Sequence, residues 1–462
     1  MEFIVQLISR AYGLLWGDLV TLPLPGGGSI GLPLLVLLLI PTGIFFTIRT
    51  RFLPVRLFPE MLRLTVEKRG TNGSAISGLQ ALVISTATRV GMGNLIGVVA
   101  AISAGGAGAV FWMWLSALIG SSTAFVEATL AQLHKQPDPL YGGYRGGPAY
   151  YIHDFLAKGR RKSVIAVLFA ISGLICWCGI SQVISNSVSS AFYNAFSVPP
   201  LYTTVALVAV SAVIVLRKHA TVKVLDVLVP IMAGLYFLMT IFLIVKNAAL
   251  LPSVFSQIFE EAFGIRQAVA GGFGAVLMQG VKRGLFSNEA GSGSAPCAAA
   301  AADITHPAKA GLLQAFGVFL DTIVICSCTA MIMLLTPAET IAGLSGMDLL
   351  QTAMDYHLGS FGVVFIALIL LLFSFSTFIG VLFYARSNVA YLFGDNWASQ
   401  TAYKVLALVM LFVGGLAAYT FVWDLGDVGI GLMTVFNIAV IIPMSREALA
   451  SLREYESARK KR

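Results

Sequence analysis

Charged side chains lie inside apolar stretches of this sequence, where a lipid-facing helix would exclude them. Six ionisable residues fall within long apolar runs and two more lie near the end of one, namely Arg89, Glu127, Lys282, Arg283, Glu289, Asp321, Asp424 and Asp427. Ionisable groups in hydrocarbon are costly and usually face a water-filled cavity or one another. These residues therefore indicate a polar cavity that binds or moves ions.

Two of the charged stretches are also rich in glycine. The first reads TRVGMGN over 88–94, and the second reads GVKRGLFSNEAGSGSAP over 280–296. Glycine destabilises a helix interior by about 1 kcal/mol relative to alanine, so both helices should unwind there. Freed N–H groups suit a carboxylate and freed carbonyls suit a small cation, which together fit a zwitterion carried with an ion. Glycine kinks that only allow close helix packing remain the alternative.

The elements that must position these segments are membrane helices. Of 462 residues, 57% are hydrophobic and 11% are charged, whereas a soluble protein carries about 25% charged residues. Apolar runs near twenty residues match a hydrocarbon core of about 30 Å. We predict an all-α polytopic membrane protein with about eleven transmembrane helices, over 30–48, 76–105, 108–132, 163–190, 200–216, 225–246, 270–301, 308–335, 361–385, 402–421 and 425–444.

Orientation follows from the basic residues. With the N-terminus outside, 24 of the 30 Lys and Arg residues fall on inner loops or the C-terminal tail, which is the positive-inside pattern. The net charge of +8 thus belongs to a cytoplasmic face that contacts membrane lipid, and no nucleic-acid partner is expected. We expect a protein of a bacterial or archaeal plasma membrane, with a cytoplasmic C-terminus, that functions as a monomer.

The two glycine-rich spans occupy corresponding positions in two halves of the chain. If the first span stands apart, five spans run from each interruption to the end of its half, and an odd number per half predicts an inverted repeat. The predicted divisions are an interfacial segment (1–29), an extra helix with a basic linker (30–70), the first repeat (71–246), the second repeat (247–447) and a basic cytoplasmic tail (448–462).

Motifs for other function classes are missing from the sequence. It contains no His-Glu-x-x-His and no Gly-x-x-x-x-Gly-Lys-Ser/Thr segment. We therefore expect neither an enzyme nor a directly ATP-driven pump. A channel or receptor-like protein is the remote alternative, which paired interrupted helices disfavour.

The same segments resemble the alanine/glycine:cation symporter family (sodium:alanine symporters). The resemblance covers about residues 75–445 and includes GMGNLIGVVAAISAGGAGAVFWMW (91–114), YRGGPAYYI (144–152), GVKRGLFSNEAGSGSAPCAAAAA (280–302) and VWDLGDVGIGLM (422–433). It implies a leucine-transporter-like fold of ten core helices, with helices 1 and 6 broken, plus one extra N-terminal helix. It also implies import of a small neutral amino acid, alanine or glycine, with Na⁺ as the co-transported ion and no further cofactor.

This resemblance places the substrate between the two interruptions. Its carboxylate would meet the N–H groups of Gly91, Met92 and Gly93, and its ammonium and side chain would face the second interruption. The implied substrate residues are Thr88, Gly91, Met92, Gly93, Asn94, Gln182, Phe286, Ser287, Asn288, Thr377 and Val381. Val381 makes the pocket wall more apolar than in many relatives, and Gln182 lies two positions before the place of their substrate-facing glutamine.

The resemblance also implies a sodium site. Carbonyls of Ala87 and Val90 would face hydroxyls of Ser376 and Thr377, and Na⁺ prefers such oxygen ligands. Without the resemblance, two hydroxyls in a span would indicate ordinary helix–helix hydrogen bonds.

The remaining buried charges form a predicted coupling or charge network of Arg89, Glu127, Arg283, Glu289 and Asp321. Arg89 could clamp the substrate carboxylate, replace a second cation, or pair with Glu289 or Asp321. Glu127 could form a helix-end contact or a gate. If coupling is to H⁺, Glu289 or Asp321 would carry the proton, since arginine stays charged. The alternative function is therefore a proton-coupled transporter of a different or larger neutral amino acid, such as glutamine.

Overall fold

The computed structural model describes residues 2–23, 29–67, 77–157, 162–217, 221–265, 272–417 and 419–460, and these residues are mostly helical. The α-helices are α1 (Glu2–Trp16), α2 (Leu34–Arg49), α3 (Leu53–Arg56), α4 (Phe58–Thr65), α5 (Gly78–Arg89), α6 (Val98–Gly105), α7 (Gly108–Leu133), α8 (Pro148–Ala157), α9 (Val164–Phe196), α10 (Pro200–Val215), α11 (Thr221–Lys246), α12 (Leu251–Ala262), α13 (Gly272–Asn288), α14 (Pro296–Ala301), α15 (Pro307–Val318), α16 (Ser327–Leu334), α17 (Ala338–Ile341), α18 (Gly346–Leu358), α19 (Ser360–Phe393), α20 (Trp397–Gly414) and α21 (Tyr419–Lys460).

Other regular elements are short. Turns of π-helix cover Gly93–Gly97 and Phe319–Cys326, and a 3₁₀ turn covers Ala248–Leu250. The strands are β1 (Asp18–Pro23), β2 (Ser29–Pro33), β3 (Gln136–Pro137) and β4 (Tyr144–Arg145), which pair as two antiparallel hairpins. The all-α prediction is therefore confirmed.

Helices occupy every predicted span, but fewer than eleven of the described helices are long and apolar enough to cross a membrane. Within the described residues, seven helices are long and apolar enough to cross a membrane, and one bent pair raises the number to eight. Two further apolar helices, α2 and α10, have 16 residues each. The total of eleven spans, the inverted repeat and the membrane orientation stay predictions.

The first predicted interruption is a sharp bend. Helix α5 begins at a capping box, in which Ser77 and Gln80 exchange hydrogen bonds between side chain and backbone. It ends at Arg89, and the chain resumes as the π turn and α6 at an angle of 46°.

The second interruption is longer. Helix α13 ends at Asn288, and the chain then adopts positive φ at Glu289 (57°), Gly291 (92°) and Gly293 (81°). Glycine adopts this left-handed region without steric cost. Pro296 then starts α14, because a proline at the first helical position sacrifices no intrahelical hydrogen bond.

The two ends of the chain pack onto the helical core. The predicted interfacial segment (1–29) contains α1, β1 and the first residue of β2, although 24–28 lie outside the described residues, and the predicted extra helix begins at Leu34, after β2. Trp16 is buried, and its Nε1 donates to the carbonyl oxygen of Asp427 on α21 at 3.1 Å. The first helix is thus anchored to the last.

The basic tail continues α21 without a break and packs onto α4. The Tyr455 hydroxyl donates to the carboxylate of Glu60, and Arg56 pairs with Glu456 at 2.7 Å. The described part of the tail therefore contacts protein as well as presenting its basic side chains.

Candidate functional site

Close contacts bring the first helix break against α19. A Cβ atom at position 91 would lie 1.9 Å from Oγ1 of Thr377, and one at position 380 would lie 2.3 Å from Cγ2 of Thr88. Real atoms never approach so closely, so glycine at both positions is what allows this approach. The first break also contacts the second, since a Cβ at position 93 would lie 3.4 Å from Cα of Ser287, near the end of α13.

The four predicted sodium ligands lie at this contact. Ser376 Oγ donates to the Ala87 carbonyl at 3.2 Å and to Phe373 O at 2.8 Å. Thr377 Oγ1 donates to Phe373 O at 2.9 Å and accepts from Met92 N at 3.3 Å. Helix α5 ends beside them at Val90, and all these residues are buried. The structure thus gathers carbonyl and hydroxyl oxygens at one buried place.

Two of the three amides that the resemblance assigns to the substrate carboxylate, those of Gly91 and Met92, donate to side chains of the protein itself. Gly91 N donates to Oδ1 of Asn94 at 2.9 Å, and Met92 N donates to Thr377 Oγ1 at 3.3 Å. Buried N–H groups need partners, and these two side chains supply them. A ligand carboxylate would have to replace both oxygens.

Asp321 joins the two breaks. Its carboxylate accepts from Asn94 Nδ2 at 2.7 Å and from Ser287 Oγ at 2.9 Å, so it contacts the first break and the end of α13 together. Thr322 donates to the same carboxylate at 2.7 Å. Asp321 and Thr322 lie in the π turn over Phe319–Cys326, Asn94 lies in the π turn over Gly93–Gly97, and Ser287 lies near the end of α13. Sequence reasoning missed Thr322, since a threonine beside an aspartate carries no signal of its own.

Glu127 holds the second break in shape. Its carboxylate accepts from Gly291 N at 3.2 Å and from Asn437 Nδ2 at 2.8 Å. Asn437 Nδ2 also donates to Gly291 O at 2.9 Å, and the Tyr151 hydroxyl donates to Asn437 Oδ1. Of the two roles considered for Glu127, this geometry is that of a structural contact at a helix break. Asn437 was missed because it lies in an ordinary apolar span.

Arg89 is fully buried and makes neither of the ion pairs considered from sequence. Its Nη1 donates to the backbone and side-chain oxygens of Gln314 on α15, both at 3.1 Å. Among the described residues, neither Nε nor Nη2 has a hydrogen-bond partner, and no carboxylate pairs with the guanidinium. Gly317 makes room for it, since a Cβ there would lie 2.7 Å from Nη1. A fixed, incompletely paired positive charge therefore sits beside the first break.

Two predicted substrate residues point elsewhere. Gln182 Nε2 contacts Met410 Sδ on α20 at 3.2 Å. Asn288 Oδ1 accepts from Ala290 N at 3.0 Å, and the same side chain lines a small cavity between α2, α7 and α13. The structure does not bring either side chain to Gly91 and Thr377.

The other predicted residues surround the breaks. Val381 is buried on α19. The ring of Phe286 packs against Trp423 with centroids 4.9 Å apart. Arg283 pairs with Asp427 at 3.3 Å, and Lys282 pairs with the same carboxylate at 2.6 Å. Thus Arg283 belongs to a cluster that fastens α13 to α21.

Comparison with known proteins identifies the family. Residues 27–462 match the model of the sodium:alanine symporter family. The chain belongs to this family. Its members are transporters, so the family expectation drawn from the sequence is confirmed at that level.

Named relatives span nearly the whole chain. It is 43% identical over 430 residues to the probable sodium/glutamine symporter GlnT of Bacillus subtilis (strain 168), covering 92% of this chain and 88% of that protein. It is 32% identical over 467 residues to the sodium/alanine symporter AgcS of Methanococcus maripaludis, covering 100% and 99%.

A solved structure has the same fold. The manganese transporter of Eremococcus coleocola, in complex with an aromatic bis-isothiourea substituted compound, superposes with a TM-score of 0.52 at 14% identity. The superposition covers 83% of this chain and 81% of that one. At this identity the likeness concerns the fold alone, which is leucine-transporter-like as the sequence resemblance implied.

Proposed function

We propose that this protein imports a neutral amino acid together with Na⁺ by alternating access. The observation that carries the proposal is the contact between the end of α5 and α19, where Ser376 meets the Ala87 carbonyl and Thr377 meets the Met92 amide. Oxygen ligands for a hard cation and N–H donors for a carboxylate are adjacent there. Unwound backbone at membrane depth is tolerated where it binds a ligand or lines a cavity.

The Thr377 hydroxyl supplies a physical route for coupling. Its oxygen accepts the Met92 N–H at 3.3 Å in this structure. A sodium ion that draws this oxygen toward the carbonyls of Ala87 and Val90 weakens that hydrogen bond. The Met92 N–H then becomes available to the substrate carboxylate, so that each ligand favours binding of the other.

Alanine and glycine are the first substrate candidates, since a closely packed break leaves space for a small side chain. Glutamine is the second candidate, favoured by the 43% identity to a probable sodium/glutamine symporter. The proposed setting is a bacterial or archaeal plasma membrane with the N-terminus outside. The proposed functional unit is a monomer that needs no cofactor besides the transported ion.

Thermal unfolding of the detergent-purified protein tests substrate and ion together. A ligand at about 100 times its Kd stabilises the folded state by about 2.7 kcal/mol if it binds only that state. We expect alanine, glycine or glutamine to raise the Tm in NaCl and to leave it unchanged in KCl. Equal shifts in both salts, or no shift with any proteinogenic amino acid, would contradict the proposal.

A further inference from the structure

A chain of short contacts links the two helix breaks through α19. Thr88 Oγ1 lies 2.8 Å from the carbonyl oxygen of Ser85 and 2.6 Å from the hydroxyl of Tyr384. The Tyr384 hydroxyl lies 3.2 Å from Oε2 of Glu289. All four residues are buried, so these oxygens must satisfy one another.

The three contacts share a limited supply of protons. The Ser85 carbonyl can only accept, so the contact with Thr88 uses the one proton of the Thr88 hydroxyl. The Thr88–Tyr384 contact then needs the proton of Tyr384. The Tyr384–Glu289 contact in turn needs a proton from Glu289. All three hydrogen bonds form together only when the carboxyl group is protonated.

An ionised Glu289 reverses the chain. Tyr384 must then donate to the carboxylate, and the single Thr88 proton can serve either Tyr384 or the Ser85 carbonyl. One pair of oxygens is then left without a proton between them, either Thr88 and Ser85 at 2.8 Å or Thr88 and Tyr384 at 2.6 Å. This repulsion falls on the last turn of α5, directly before the first break.

We propose that Glu289 is a proton-binding site whose protonated form stabilises this packed arrangement of the two breaks. Closing of the protein around its substrate then takes up a proton. The link to the substrate rests on the proposed symport function, whereas the protonation of Glu289 in this conformation does not.

The surroundings of Glu289 fit this role. The titratable or charged groups that act on it electrostatically, from five different elements, are Arg89, Cys176, Cys297, Asp321 and Tyr384. The positive charge of Arg89 favours an ionised Glu289 although the two form no ion pair, whereas burial and the negative charge of Asp321 oppose ionisation. A buried carboxylate without adequate hydrogen-bond donors is strongly disfavoured.

Two other buried carboxyl groups beside the breaks, those of Asp321 and Glu127, differ in this respect. Asp321 accepts from three donors, and Glu127 accepts from a backbone amide and from an asparagine. These donors stabilise an ionised group. Glu289 instead contacts the Tyr384 hydroxyl, whose proton is used in the hydrogen bond to Thr88.

Infrared spectroscopy of the ligand-free protein at pH 7 measures the protonation directly. We expect the C=O stretching band of a buried, protonated carboxyl group in the wild-type protein. Glu289→Gln should remove it, whereas Glu127→Gln should retain it. Tyr384→Phe should shift the band to higher wavenumber, because the carboxyl O–H loses its acceptor. A wild-type protein without the band, or a band that survives in Glu289→Gln, would overturn the assignment.

Calorimetry tests the coupling to substrate. Alanine, glycine and glutamine are titrated in NaCl at the alkaline pH at which the ligand-free protein has lost the infrared band, in borate and in Tris, two buffers with different ionisation enthalpies. We expect the wild-type heats to differ by the uptake of about one proton per substrate, and the Glu289→Gln heats to agree. Binding without proton uptake, or unchanged uptake in Glu289→Gln, contradicts coupling. Absence of any binding heat would instead count against the proposed symport.

Discussion

The Thr377 hydroxyl lies where the end of α5, the first helix break and α19 meet. It donates to Phe373 of its own helix and accepts from Met92 of the break. Sequence comparison placed Thr377 and Ser376 beside Ala87, because a hydroxyl pair in an apolar span is visible in the sequence. It did not predict that Asn94 and Thr377 occupy the amides themselves, since that depends on side-chain rotamers across two helices.

Replacing the Thr377 hydroxyl, with a matched control, distinguishes a loss of Na⁺ binding from a general loss of helix stability. We expect Thr377→Ala to lose most of the Tm increase that NaCl gives over KCl, because an oxygen ligand is removed. Thr434→Ala is the matched control, since Thr434 is also buried and donates to the carbonyl four residues earlier, at 2.7 Å. Both changes should cost about 1 kcal/mol of stability. An undiminished Na⁺ response in Thr377→Ala would remove this residue from the cation site.

The limits of residue-level prediction are clear at Gln182 and Asn288. Both were polar residues at plausible places in the chain, but one faces α20 and the other faces α7. The rotation of a helix about its axis is fixed by packing against its neighbours. The residue type at one position therefore does not reveal which neighbour its side chain faces.

At the scale of elements, the two breaks were the most predictable feature. Glycine and proline act locally, so their effect on a helix needs no knowledge of the rest of the fold. The π turns at Gly93–Gly97 and Phe319–Cys326 were not predicted. A π turn has the composition of an α-helix, and it forms here where Asn94 and Asp321 must reach each other.

The close approach at the first break gives an element-scale prediction. We expect Gly91→Ala to lower stability by about 1–3 kcal/mol, because its Cβ would overlap the Thr377 hydroxyl. Gly97→Ala, in the same π turn region, should be neutral or slightly stabilising, since its Cβ would lie 4.0 Å from the ring of Phe286. Thermal unfolding compares the two.

A double variant checks the cause of this difference. Thr377→Ala introduced into Gly91→Ala removes the overlapping oxygen and should restore part of the lost stability. Equal Tm values for the two alanine variants, or no recovery in the double variant, would show that the contact is not what requires glycine at position 91.

For the whole molecule, composition and hydropathy were sufficient to predict a polytopic helical membrane protein, and its family followed from the resemblance of segments such as 91–114 and 280–302. Contacts between distant parts of the chain were not predictable. The anchoring of Trp16 on Asp427 and of Tyr455 on Glu60 joins residues hundreds of positions apart. Burial of Glu60 would raise its pKa, but hydrogen bonds from Arg63 and Tyr455 lower it, so this tail contact persists at neutral pH and weakens as the carboxylate is protonated in acid.

Sodium-driven uptake by the purified protein in proteoliposomes tests the central claim most directly. Labelled alanine, glycine and glutamine are supplied outside, with an inward Na⁺ gradient or with equal Na⁺ on both sides. We expect saturable accumulation of at least one of them above its external concentration only while the gradient is present. Uptake that is independent of the Na⁺ gradient, that does not saturate, or that is absent for every neutral amino acid would contradict sodium-coupled symport.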